Sequence, residues 1–157
     1  MPSPIDALKR AHNALRRGGR IAVATWGPPD KNPFISIPLG MLRKHVEIPT
    51  TPPDAPGVFA FANPKRLKTT LQGAGFQDVV AEAFAFDISV CETGEEAWRF
   101  IREIAPPIAQ LYNGQLAAVQ QSIDVAITSG LSRFHRADLS PRLAIPAETW
   151  IAVGTKA

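Results

Sequence analysis

The sequence predicts an α/β fold: a small mixed sheet of three strands with helices around it and a helical excursion before the last strand. Three observations predict it. Residues 15–29, LRRGGRIAVATWGPP, read as a helix end, a glycine turn and a short apolar strand. Residues 61–90 repeat that order, with a capped helix, a glycine stop and a long alternating stretch. Residues 148–155, ETWIAVGT, supply a third strand after a run of helical patterns.

The elements follow in order. Ser3 is a capping residue, Pro4 suits the first helical position, and Asp6 sits where a capping-box acid belongs. Ile5, Leu8, Ala11 and Leu15 continue the helix at its own spacing, through Arg17. Gly18-Gly19 end it, since a left-handed backbone is wanted there. The strand of residues 20–26 is apolar on both faces, a pattern that predicts cover on both sides. Residues 27–62 hold eight of the fifteen prolines. Prolines at that density exclude long regular structure but favour a fixed path, with one helix over about 35–45.

Asn63 caps the next helix, Leu67 and Leu71 lie one turn apart, and Gly75 stops it. Over about 79–90, Val80, Phe84, Phe86, Ile88 and Val90 share one parity, which predicts a strand with one buried face. Thr93, with Glu96 three positions on, opens a helix that carries Trp98, Ile101, Arg102 and Ala105 on one side. Pro106-Pro107 interrupt it. Helical segments over 108–112 and about 115–129 follow, and then the strand of 148–155. The chain reads as a single partial domain over 1–157, with a proline-rich excursion at 27–62 and a helical excursion at 93–135.

Composition narrows the function classes. Apolar content is 45% and charged content 20%, ordinary for a globular protein. No apolar run reaches the roughly 18–20 residues that span a bilayer, and the first residues lack the apolar stretch of a secretory signal. Cys91 is the single cysteine, so no internal disulfide forms. With three histidines far apart in sequence, no metal-ligand spacing arises either. A cytoplasmic protein with a free thiol, no metal and no membrane partner is expected. The net charge of +3 is uneven: residues 1–72 hold 11 Lys/Arg against 4 Asp/Glu, residues 73–157 hold 6 against 10. The basic residues come as scattered pairs without a stacking motif between them, so no nucleic-acid partner is expected.

Four stretches carry a family resemblance. ALKRAHNALRRGGRIAVATWG (7–27) and FANPKRLKTTLQGAGFQDV (61–79) resemble the last conserved helix–strand units of class I S-adenosylmethionine-dependent methyltransferases. The similarity is to the small-molecule group around the ubiquinone/menaquinone-biosynthesis type. NPFISIPL (32–39) and EEAWRFIREIAPP (95–107) are similar to segments of one bacterial subgroup. Arg17 stands where proline is common in that family. The resemblance implies the C-terminal remnant of a Rossmann-like methyltransferase fold, with the last strand inserted antiparallel between the other two. It implies a methyltransferase, a transferase that uses S-adenosyl-L-methionine as its cofactor when complete. The glycine-rich turn and the ribose-binding acid that hold this cofactor in the family precede these stretches and are not in this sequence. A truncated enzyme, with no cofactor-binding residue of its own and inactive alone, is therefore expected. The alternatives are a non-catalytic ligand- or partner-binding module, or one half of a split methyltransferase.

The resemblance also implies where a small-molecule methyl acceptor would sit. Candidate pocket residues are Trp26, Phe34, Trp98, Tyr112 and His135. Plain packing is the other reading for Trp26, Phe34 and Trp98, and an exposed or hydrogen-bonded role for Tyr112 and His135. His12 and His45 read as surface residues, and Cys91 as inert. No catalytic residue is assigned. A strand at 21–26 without its family neighbour leaves an open edge, so a homodimer is expected through that edge and the N-terminal helix.

Overall fold

Three strands, β1 (Arg20–Trp26), β2 (Gln77–Ile88) and β3 (Ile145–Thr155), form one sheet in the order β1–β3–β2. The computed structural model describes residues 3–47, 57–136 and 141–157. Strand β3 runs antiparallel to β1, with Arg20 opposite Thr155 and Trp26 opposite Thr149. The last strand therefore lies between the other two, as the resemblance implies. The sheet is antiparallel throughout, where a mixed sheet was expected. Strand β3 begins at Ile145, three residues before the expected start. Pro146 hides that start in the sequence, because proline reads as a strand breaker. It is tolerated here because it precedes Thr149, where pairing with β1 begins.

The helices are α1 (Pro4–Ala14), α2 (Pro33–Leu42), α3 (Pro64–Gly73), α4 (Gly94–Ile104), α5 (Pro106–Asn113) and α6 (Ala117–Ser132). The chain divides into two compact units. The first holds residues 3–29, 57–85 and 148–157; the second holds 30–47, 86–136 and 141–147. Residues 48–56 of the proline-rich excursion lie outside the described residues.

In the first unit Leu67, Leu71, Ala74, Phe76 and Ala152 form the buried core, with Ile5, Leu8, Leu15, Ile21, Val23 and Val79 packed against it. Ser3 and Asn63 cap their helices: the Asp6 N–H donates to Ser3 Oγ at 3.4 Å and the Lys65 N–H to Asn63 Oδ1 at 2.9 Å. Helix α1 ends at Ala14, three residues short of the expected Arg17, because Leu15 turns to extended backbone (φ −75°, ψ 146°). The carbonyls left at that end are met by one lysine. Lys156 Nζ donates to the Leu15 and Asn13 oxygens at 2.7 and 3.3 Å. Gly18 takes the left-handed backbone the turn requires (φ +72°). His12, expected at the surface, is half-buried and meets Phe76 edge to face at 5.0 Å.

Two expectations about the sheet are corrected here. Strand β1 is covered on one side, not two: Ile21 and Val23 pack inward while Ala22 and Ala24 are exposed. On β2 the expected buried parity is the open one over its first half, since Val80 and Phe84 are 53% and 54% exposed. Val79 and Ala81 pack inward instead. The reason is close approach. Gly154 of β3 is so tightly covered that a Cβ there would lie 2.9 Å from Phe76 Cβ and 3.3 Å from Val79 Cγ2. The core forms over the face whose residues are small enough to permit it.

In the second unit the core is Phe34, Leu42, Trp98, Ile101, Ile108, Tyr112, Ile123, Ile127, Leu131, Leu143 and Ile145, with Ala97 and Cys91. Helix α2 starts at Pro33, two residues earlier than expected, and ends at Leu42, three residues earlier. Proline at a first helical position costs no hydrogen bond, which explains the early start. Helix α4 is capped as read: the Glu96 N–H donates to Thr93 Oγ1 at 3.1 Å, and Glu96 Oε2 accepts from the Glu92 N–H at 2.9 Å. Gly94 and Gly130 are contact points. A Cβ on Gly94 would strike the Thr128 carbonyl oxygen of α6, and one on Gly130 would lie 3.1 Å from Ile37 of α2.

Candidate functional site

The candidate site lies in the second unit, where α4, α5 and α6 bring one acid, one base and two aromatic rings together. Trp98 and Arg102 stand four residues apart on α4, so they share a face. Tyr112 comes from α5 and Asp124 from α6. The Trp98 Nε1–H donates to Asp124 Oδ1 at 2.7 Å, and the Tyr112 hydroxyl donates to Asp124 Oδ2 at 2.8 Å. Both carboxylate oxygens are thus engaged by neutral donors. The two rings meet edge to face, 5.4 Å between centroids at 85°. In the angle they make sits the Arg102 guanidinium, 5.0 Å from the Trp98 ring and 4.7 Å from the Tyr112 ring. Its Nε is buried and makes no hydrogen bond. The aromatic faces supply its favourable contact.

An open cleft of about 410 Å³ runs beside this cluster. Trp98, Arg102 and Asp124 form part of its wall, with Glu95, Thr128, Ser129 and Val125. Burial raises the Tyr112 hydroxyl above its ordinary pKa, and its hydrogen bond to Asp124 raises it further. Cys91 is raised as well, by burial first and by the charge of Glu96 second. Both groups hold their protons in the fold at a pH where the unfolded chain releases them. Stability is therefore fully present below the ordinary thiol and phenol ranges and falls as pH rises through them. Denaturant melts should show this decline setting in above about pH 8.5. Cys91→Ala and Tyr112→Phe should each flatten part of it.

The five candidate pocket residues are placed as follows. Trp98 and Tyr112 come together in the cluster. Phe34 is buried in the same core and lies 6.3 Å from Phe100. Trp26 ends β1 in the first unit and is half-buried. His135 is exposed and forms an isolated bridge with Leu143. Asp124 is not among the expected residues. Its signal was in the sequence, since it is the single charged residue of Ala117–Ser132. Arg102 was placed on the right helix side but given no role.

Among the described residues no group of His, Cys, Asp and Glu is arranged to hold a metal ion. None of the helices there is long and apolar enough to cross a membrane. The cofactor that the resemblance implies finds no fitting residues among the described ones. It needs backbone N–H groups open at a glycine turn after a strand, and an acid for two ribose hydroxyls. Gly18 and Gly19 follow a helix, and their N–H groups donate to the Lys156 and Arg16 oxygens at 2.7 and 2.9 Å. A Cβ on Gly19 would lie 2.7 Å from the Arg16 oxygen, so this turn is closed on its own backbone.

No protein-family model matches the chain, and no curated protein matches it. Among solved structures it is similar to phospholethanolamine N-methyltransferase 2 of Haemonchus contortus, solved with phosphomonomethylethanolamine and S-adenosylhomocysteine. The identity is 12% and the TM-score 0.39. The alignment covers 98% of this chain and 30% of that one, so this chain spans less than a third of that enzyme's length.

Proposed function

We propose that this chain is the acceptor-side part of an S-adenosylmethionine-dependent methyltransferase fold that acts on a small molecule. The observation that supports this reading is the strand order, with the last strand lying antiparallel beside β1 and between it and β2. In this reading Trp98, Arg102 and Asp124 wall the acceptor's cleft, and Tyr112, Trp26, Phe34 and His135 remain pocket candidates by the resemblance. The residues here bind and orient an acceptor. No step of methyl transfer is assigned to them, because the cofactor does not fit the glycine turn they provide.

The outer edge of β1 is where a cofactor-binding part would continue the sheet, supplied by the same polypeptide or by another. That edge is assigned to such a part rather than to the second copy expected from the sequence. Leu8 and Leu15 of the N-terminal segment already pack against the first unit's core, so the apolar patch expected there is largely used. Calorimetry of the 157-residue chain with S-adenosylmethionine should show no binding heat. The DNA upstream of the Met1 codon should encode a glycine-rich turn after a strand, in frame or as a neighbouring gene. Micromolar binding by the chain alone would overturn this placement. An upstream sequence without such a turn would favour the non-catalytic module.

A further inference from the structure

A guanidinium carries five N–H donors in a planar fork and accepts nothing in return. Arg102 is held by the rings of Trp98 and Tyr112, which favour its charge but are poor acceptors for its N–H groups. Its Nε is buried without a hydrogen bond. The Tyr112 hydroxyl faces it as an acceptor, but one hydroxyl does not fill the fork. Asp124, the acid of the cluster, is oriented by other donors: its two oxygens accept from Trp98 and Tyr112. A partly desolvated cation short of acceptors gains from an incoming anion, and Arg102 lines the cleft of about 410 Å³.

The other end of the cleft has the opposite charge. Glu95 precedes Arg102 by two turns on the same face of α4, about 10 Å along the helix axis. Helix α6 runs antiparallel beside α4, since Trp98 bonds Asp124 while Gly94 meets Thr128. The Thr128 and Ser129 hydroxyls therefore border the Glu95 end. Arg99 and Glu103 line a neighbouring groove with Arg102, not this one. Glu95 and Asp124 against Arg102 leave the cleft with a net negative charge. A simple anion drawn to Arg102 is opposed by it, and a simple cation drawn to Glu95 leaves Arg102 unmet. On the reading of this cleft as the acceptor's, we propose that the acceptor is a short zwitterion. Arg102 holds its carboxylate or phosphate, and Glu95 holds its ammonium beside the two hydroxyls.

The test is an NMR titration of the full 157-residue chain, read at the Trp98 indole N–H that borders the cleft. The probes are ε-aminocaproate and aminopropyl phosphate, with caproate and hexylamine as single-charge controls. The wild type should bind one of the zwitterions about tenfold or more tighter than either control. Which of them binds tells a carboxylate from a phosphate. Arg102→Gln and Glu95→Gln should each bring that zwitterion down to the level of the controls. Glu95 is exposed, so its replacement should leave circular dichroism unchanged. Glu95→Lys should reverse the preference, towards the dianion adipate. The proposal is overturned if neither zwitterion binds, or if Glu95→Gln binds as well as the wild type. Hexylamine binding as tightly as the zwitterions also overturns it, but leaves the acceptor's cleft standing. The acceptor reading itself fails on the upstream sequence, whatever these titrations show.

Discussion

Replacing Trp98 by alanine should lower the unfolding free energy by about 3–5 kcal/mol, the range for removing a large aromatic side chain from a core. Trp98 is 1% exposed, among Ile101, Ile123 and Ile127 in the same core. The substitution also removes the donor to Asp124 Oδ1 and one of the two rings over Arg102. Trp98→Phe separates these effects. It keeps most of the ring volume and loses the N–H, so it should cost about 1–2 kcal/mol. Urea melts of the two variants would measure both. If Trp98→Ala costs less than Trp98→Phe, the packing account is wrong. In an enzyme of the proposed kind, Trp98→Ala should then act on acceptor use through the fold.

Gly94→Ala should cost about 3 kcal/mol, a large effect for a single added methyl group. Alanine is ordinarily the better helix residue, and near the start of an exposed helix this exchange would be stabilising. Here the new Cβ would strike the Thr128 carbonyl oxygen and lie 3.0 Å from the Ser132 backbone nitrogen. Backbone atoms within a helix do not swing aside as a side-chain tip does, so α4 and α6 must separate. Thermal melts would test the sign. A stabilised Gly94→Ala protein would mean that the two helices do not approach as closely as described. Gly40→Ala provides the contrast, because a Cβ there meets nothing within 4 Å.

The sequence was legible where a single residue controls local hydrogen bonding. Ser3, Asn63 and Thr93 each cap the helix they were expected to cap. Strand β1 has the expected bounds for the same kind of reason, since Gly18-Gly19 and Gly27-Pro28 punctuate both ends. Strand β2 was legible as a strand but not as a surface. Its residues 79–86, VVAEAFAF, are apolar on both parities, so alternation alone cannot say which side is covered. The larger side chains, Val80 and Phe84, suggest the wrong face. Cover went instead to the side where Ala81, Ala152 and Gly154 let neighbours come close. The candidate site was half legible. Trp98 and Tyr112 attract notice as aromatic residues on patterned helices. Asp124 bonds to a residue 26 positions away, and no local pattern reports how α4 crosses α6.

The pairing of β1 with β3 bears on the order in which the chain acquires its structure during synthesis. Arg20 leaves the ribosome about 135 residues before its partner Thr155. At about 5–20 residues per second, the first strand waits many seconds for its neighbour. Helices α4 to α6 contact one another over short sequence distances and have no such delay. The helical unit can therefore consolidate on the nascent chain while β1 and β2 still lack the strand that joins them. During that interval Ile21, Val23 and Trp26 are a natural recognition segment for a chaperone. Slowing translation downstream of residue 132 should lengthen that exposure without affecting the helical unit.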